Sequence, residues 1–186
     1  SPIIGTPVLN RSGVKEKRTS GMFISTIPFK VDIDKTQPFS EFLKTVASMQ
    51  MSIFKHQKYP YDKLLKYIKK KHNLTESPYD LVLSYQNARD ERKSSDVHYY
   101  SKWIESGHTL DSLEVHFYDM DNTGTLDIFY DYQINKFNEE DISHMHSRIL
   151  SMVDFVLQNP EIPLSNVEIT DKEEKQLILK DFNHTK

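Results

Sequence analysis

At 186 residues the chain is long enough for one domain with a sizeable core, and its 37% apolar and 27% charged side chains place it towards the polar end of soluble domains. A net charge of −3 offers nucleic acid no broad basic field, and the absence of cysteine removes disulfides, thiolate metal sites and a cysteine nucleophile together. No stretch approaches a membrane span or a signal peptide.

The opening, Ser1-Pro2-Ile3-Ile4-Gly5, reads as a cut end rather than a natural N-terminus. After the apolar pair Ile3-Ile4 comes Gly5-Thr6-Pro7-Val8-Leu9-Asn10-Arg11, in which Gly5 permits an unusual backbone angle and Pro7 stiffens the residues after it. Ser12–Ser20, charged and glycine-containing, is expected to be a mobile loop. Gly21–Ile33 has the pattern of a strand with one buried face. Phe23, Ile27, Phe29, Val31 and Ile33 alternate on one side, interrupted only by Ser25. Pro28 lacks a backbone donor, which sends this strand to a sheet edge or makes it irregular there.

Thr36 is a candidate cap for a helix running to about His56, with Pro38 in its first turn. Phe39, Phe42, Leu43, Val46, Met49 and Ile53 give that helix one apolar face. His56-Gln57-Lys58-Tyr59-Pro60-Tyr61-Asp62 breaks the pattern, since the residue before a proline disfavours helical angles. A second helix, roughly Pro60–Lys71, turns Leu64, Leu65 and Ile68 inward, and His72-Asn73-Leu74 ends it. The lysines Lys66, Lys69, Lys70 and Lys71 read as a solvated helix end. Asp80–Gln86 predicts a central strand, interrupted by Ser84 near its C-terminal end.

Ala88–Ser112 is long for a loop, and Val97–Ile104 within it, with Tyr99, Tyr100 and Trp103, is a candidate strand. Leu113–Tyr118 and Thr125–Tyr132 both alternate and join through Asp121-Asn122-Thr123-Gly124 as a hairpin. Asn138 caps a last long helix whose buried stripe is Ile142, Met145, Ile149, Met152, Val153 and Val156; Asn159-Pro160 stops it. Thr170-Asp171-Lys172-Glu173 is a capping-box pattern for a short terminal helix in a tail that reads as a linker.

Several patterns imitate sites. Asp119-x-Asp121-x-Thr123-Gly124 begins like a calcium loop, but its twelfth position is Tyr130 and strands flank it. His144 and His146 stand two apart on a helix and point to different sides. His108 and His116 have no carboxylate or second histidine at a spacing that marks a site. There is no Gly-rich phosphate loop and no Gly-x-Ser-x-Gly elbow. The residues alone present neither a catalytic constellation nor a metal site.

Four segments say more when taken in order. Gly5–Arg11 is similar to the pattern Gly-Thr-Pro-Val-x-Asn-Arg. Gly21–Lys30 is similar to Gly-x-Phe-Val-Asn-Thr-Leu-Pro-Leu-Arg, with Ser25 in place of the asparagine. His56–Asp62 is similar to His-Gln-Asp-Tyr-Pro-Phe-Glu, with Lys58 replacing the acid. Ser77-Pro78 through Leu83-Ser84-Tyr85-Gln86-Asn87 is similar to the segment next in order. Together they resemble the C-terminal part of the condensation domain of nonribosomal peptide synthetases. The resemblance makes Gly5, Pro7, Asn10, Arg11, Gly21, Phe23, Pro28, His56, Gln57, Tyr59, Pro60 and Asn87 motif positions.

The resemblance implies a mixed, largely antiparallel α/β sheet packed by helices, one lobe of a two-lobed chloramphenicol-acetyltransferase-like fold. Residues 1–168 would be the C-terminal portion of the domain, and residues 169–186 the start of a linker towards an adenylation domain. It also implies partners: the N-terminal lobe of the same domain, peptidyl and aminoacyl carrier proteins, and the adenylation domain, with neither nucleic acid nor membrane. No cofactor of its own is implied, because the carriers' phosphopantetheine arms act as substrates; the setting would be cytoplasmic. The length and aromatic content of Ala88–Ser112 suggest in addition a strand crossing to pair with that other lobe. The family's His-His-x-x-x-Asp-Gly motif is absent, and no two histidines are adjacent here. Ser25, Thr26, Ser84 and Gln86, polar interruptions of apolar strands, are then the candidate channel residues. A non-catalytic platform for a carrier or tailoring protein is the competing class. A self-contained acyltransferase is disfavoured, because no base of its own is identifiable.

Overall fold

The computed structural model describes residues 1–87, 104, 107–119, 124–170, 175–176 and 179–180. Contacts divide the chain into two compact units. One comprises Pro2–Lys30 and Phe54–Lys136 and contains the sheet; the other comprises Ser1, Val31–Ile53 and Phe137–Lys186.

In the first unit, strands β1 (Ile3–Val8), β2 (Ser25–Lys30), β3 (Leu81–Gln86), β4 (Leu113–Tyr118) and β5 (Asp127–Tyr132) form one sheet in the order β2-β1-β3-β4-β5. The expected mixed α/β architecture is present. Its four pairings divide evenly: β2–β1 and β4–β5 are antiparallel, while β1–β3 and β3–β4 are parallel. The parallel share comes from β3 alongside β4 and from β1, a segment not anticipated as a strand, which inserts between β2 and β3.

Gly5 explains how β1 fits there. It stands opposite Pro28 in β2 and beside Val82 in β3. A β-carbon at position 5 would lie 2.6 Å from Tyr79 Cε2 and 2.9 Å from Thr26 Cγ2. The glycine's role is therefore close packing of the Tyr79 ring against the strand. The Tyr61 ring, at the start of helix α3 (Tyr61–His72), lies 6.2 Å from that of Tyr79.

The proline rule holds for β2, which is an edge strand with Ile27 and Phe29 buried on its inner side. It is shorter than the expected Gly21–Ile33, because residues 21–24 are held by the side chains of Asn10 and Arg11 rather than by a ladder. Strand β3 is central and Ser84 is only 4% exposed. The β4–β5 hairpin forms as the alternation predicts; residues 120–123 of its turn and the Val97–Trp103 segment lie outside the described residues. Ser12–Ser20, expected as a loop, contains the short helix α1 (Val14–Arg18). Glu16 Oε2 accepts from the backbone N–H groups of Ser12 and Gly13, both at 2.8 Å, which fixes its first turn.

In the second unit, helix α2 (Phe39–Lys55) starts without the expected Thr36 cap. The Thr36 hydroxyl bonds Asp34 instead, and the first helical N–H groups find backbone carbonyls: Phe39 N–H donates to Ile162 O and Ser40 N–H to Pro160 O. Leu43 is exposed, so the apolar stripe of α2 narrows to Phe39, Phe42, Val46, Met49 and Ile53. Helix α4 (Glu139–Gln158) has the expected Asn138 cap, reciprocated by Asp141. Ile142 and Val156 are buried, whereas Val153 is exposed at the stripe's edge. The terminal capping-box residues 171–174 lie outside the described residues.

A small ionic staple closes the sheet's other end. Ser112 donates its backbone N–H and its hydroxyl to Asp80, and Lys136 Nζ reaches Asp80 Oδ2 at 3.1 Å. The Ser112 hydroxyl bond, assisted by the Ser112 N–H and Lys136, holds the Asp80 carboxyl below the usual aspartate range. A depressed native pKa stabilises the fold above the unfolded value of about 4 and loses that contribution as pH falls through the native value. Asp111 works oppositely, its carboxyl raised by burial and by Glu114, so its charge opposes folding at neutral pH. Because the Asp80 carboxylate is largely exposed and screened by water, Asp80→Asn should cost no more than about 1 kcal/mol in urea unfolding at pH 7, with the difference closing below about pH 4. Asp111→Asn should be neutral or stabilising at pH 7. A gap for Asp80→Asn that persists at low pH would remove the electrostatic explanation.

Candidate functional site

The first two motif segments form one structure. Chain reversal after β1 passes through Asn10, at φ 52°, a left-handed value that asparagine tolerates. Arg11 then turns its guanidinium into the adjoining loop. Nη1 donates to Glu16 O and to Thr19 O (2.6 Å), Nη2 donates to Gly21 O (2.7 Å), and Cζ sits 4.2 Å over the Phe23 ring. Gly21, at φ 144°, supplies backbone freedom where the loop meets the guanidinium. Asn10 Nδ2 donates to Phe23 O (3.0 Å) and to Ser25 Oγ (2.8 Å). Asn10 and Arg11 thus fasten residues 16–25, and with them the start of β2.

The third motif joins the same assembly. Lys58, standing where the family pattern has an acid, pairs with Glu16 at 2.6 Å. That bond, with help from Gly13, pulls the Glu16 carboxyl down to about 2. Tyr59 N–H donates to His56 O across the turn, Pro60 caps α3, Gln57 is half-buried, and His56 and Tyr59 are exposed. Asn87 is exposed just beyond β3.

Register decides which candidate channel residues can act together. Thr26 pairs with Pro7; Gly5 aligns with Val82, which brings Pro7 beside Ser84; Ser84 aligns with His116 and His116 with Phe129. Side chains of aligned residues share a face. Thr26, Ser84 and His116 therefore form one lateral row, and Gln86 comes next on the same face, its Nε2 3.4 Å from Ser84 Oγ. Ser25 belongs to the opposite, apolar face with Ile27 and Phe29, and its hydroxyl is already engaged by Asn10. Three of the four candidates are brought together.

His116 corrects the expectation from spacing, which gave it no carboxylate partner. It is 7% exposed, with Nε2 3.3 Å from Asp131 Oδ2 and 3.6 Å from Glu114 Oε2. Glu114 lies two residues earlier on the same strand, and antiparallel pairing sets Asp131 opposite Glu114. The i, i+2 spacing was legible; the contribution of β5 needed the hairpin register. Thr109 extends the cluster by donating to Glu114. Ser84, His116 and Asp131 supply the residue types of a nucleophilic triad, but a serine this buried presents no attacking oxygen to an acyl group. A cleft of about 300 Å³ beyond β5 is lined by Thr109, Tyr130, Asp131 and Tyr132 among others, and reaches neither Ser84 nor Thr26.

A mixed sheet with its polar groups gathered on one face, entered by a clamped edge strand, defines a mixed α/β fold. The Condensation domain family model matches residues 1–179, and the chain belongs to that family. It is 32% identical to surfactin synthase subunit 1 of Bacillus subtilis (strain 168) over 95% of this chain and 5% of that protein. Identity to gramicidin S synthase 2 of Brevibacillus brevis is 26%, over 98% of the chain and 4% of the relative. The chain thus spans a small fraction of these relatives. Among solved structures, a four-domain nonribosomal peptide synthetase bound to AMP and glycine superposes with a TM-score of 0.77 at 15% identity, covering 93% of this chain and 14% of that one. The starter condensation domain of rhizomide synthetase gives 0.67 at 16% identity, covering 91% and 40%. These likenesses bear on the fold.

Arg11→Lys should lower stability by about 1–3 kcal/mol, since an ammonium cannot serve three divergent carbonyls and stack on Phe23. Ser84→Val, by contrast, should stay within about 1 kcal/mol, because its hydroxyl is engaged only by the long 3.4 Å contact from Gln86. Urea denaturation of both variants compares them directly, and equal losses would contradict the clamp.

Proposed function

We propose that the chain is the C-terminal portion, residues 1–168, of a nonribosomal peptide synthetase condensation domain of the chloramphenicol-acetyltransferase-like superfamily, with residues 169–186 leading towards an adenylation domain. The observation that carries this reading is the Condensation domain match over residues 1–179. In the reaction, an acceptor amine on one carrier attacks the donor thioester on another. A C–N bond forms, the C–S bond breaks, and the amine proton leaves with the thiol. The carriers' phosphopantetheine arms are substrates, and the setting is cytoplasmic. Among the described residues, no helix is long and apolar enough to cross a membrane.

On this reading the half-buried Thr26 and Gln86 line the acceptor path on the polar face of the sheet, with Ser84 buried behind them and Ser25 serving the clamp instead. The chain has no adjacent histidine pair. Alone it therefore lacks the base that the family motif provides, and acts as part of a larger enzyme. The non-catalytic platform is the second reading: an intact His-His-x-x-x-Asp-Gly upstream of this chain would favour the enzyme, and its loss there the platform.

Incubating this chain alone with aminoacyl and peptidyl carrier proteins should give no peptide by mass spectrometry, whereas the complete parent domain should. Product from the chain alone would overturn the division of roles, and none from the parent would favour the platform. In the complete domain, Thr26→Val or Ser84→Val should slow single-turnover condensation about tenfold, or about 1.4 kcal/mol, at unchanged melting temperature. The reverse order of effects would make these residues structural.

A further inference from the structure

Helix α3 carries five lysines against a single aspartate, in a chain whose net charge is −3. The structure sorts these lysines into two groups. Lys69 donates to Thr75 O (2.8 Å) and Lys71 lies 5.6 Å from the Tyr67 ring, both in the last turn, where cations favour the helix dipole. Helix stability accounts for them. Lys63, Lys66, Tyr67 and Lys70 are different. They follow i, i+3, i+4, i+7 spacing, which places them on one face, and all four are exposed, Tyr67 by 59%. Leu64, Leu65 and Ile68, half-buried, form the inner face.

Lys63 is the third residue of the helix, beside the positive end of its dipole, where an ammonium is unfavourable. Asp62 offers Lys66 only an exposed pair at 3.9 Å, a weak interaction. Among the described residues, neither Lys63 nor Lys70 has a carboxylate within ion-pair distance. The first of these charges opposes the helix, and none of the three secures it.

We infer that this face of α3 is a docking surface for an acidic helical face of another protein domain. Three ammonium groups spaced along about 10 Å match carboxylates repeating every turn on a partner helix. Tyr67 at their centre supplies the aromatic anchor that charged patches alone lack. A nucleic acid fits less well, because a duplex extends its phosphates far beyond one short helix, over a surface of negative net charge. The inference goes beyond the condensation reading and does not depend on it.

The test uses the 186-residue chain, a helical peptide of about 20 residues with glutamates at i, i+3, i+4 and i+7, and a DNA duplex of about 20 base pairs as the alternative polyanion. Peptide titration followed by backbone NMR should shift Lys63, Lys66, Tyr67 and Lys70 amides. Affinity should fall at least about tenfold in the variant combining Lys63→Glu, Lys66→Glu and Lys70→Glu, and about threefold in Tyr67→Ala. A control combining Lys15→Glu, Lys17→Glu and Lys35→Glu makes the same charge change elsewhere and should bind like the parent chain. Circular dichroism checks that α3 persists, and a Gln version of the triple variant serves if it does not. The proposal is overturned if the control loses as much affinity as the α3 variant, if shifts cluster elsewhere, or if the duplex binds as tightly as the peptide.

Discussion

Strand β1 must satisfy two neighbours at once, and the rest of the sheet depends on that. One backbone edge pairs antiparallel with β2, the other parallel with β3. Pro7 brings no backbone donor to either edge of this strand, and the edge partner carries the second proline, Pro28. Gly5 then removes the one side chain that would keep Tyr79 away. The first motif, Gly5–Arg11, thus encodes a joint between an edge hairpin and a parallel core.

The same motif continues into the Asn10–Arg11 clamp, which satisfies five oxygen acceptors on residues 16–25 with two side chains. The bonds to Glu16 O, Phe23 O and Ser25 Oγ are part-buried, where an unpaired oxygen would be costly, and a planar guanidinium with divergent donors is suited to several acceptors at once. The Lys58–Glu16 pair ties the turn before α3 to α1.

Across the sheet, the division into an apolar face and a polar face gives a condensation domain two things from one layer. Ile27, Phe29, Leu113 and Val115 bury one side, while Thr26, Ser84, Gln86 and His116 bring hydrogen-bonding groups to the other. In the Glu114–His116–Asp131 cluster, β4 and β5 together bring two carboxylates within ion-pair distance of one buried imidazole.

By itself the sequence determined the elements with strong local signals. Period-two runs marked β2, β4 and β5; apolar spacing marked α2, α3 and α4; Pro28 placed β2 at an edge, and Asn138 located its helix start. These are decided within a few residues of one another. The four ordered motifs likewise carried the family, because each is a contiguous run. What only the tertiary structure decided are pairings across long separations. β1 carried too little alternation to be seen as a strand, and it exists because β2 and β3 both bind it. The α2 start is capped by the carbonyls of Pro160 and Ile162, far along the chain from Phe39 and Ser40, which no local motif records. His116 gained Asp131, and Ser84 came to share a face with Thr26 across Pro7, through register alone, since a one-residue slip would send each to the opposite face.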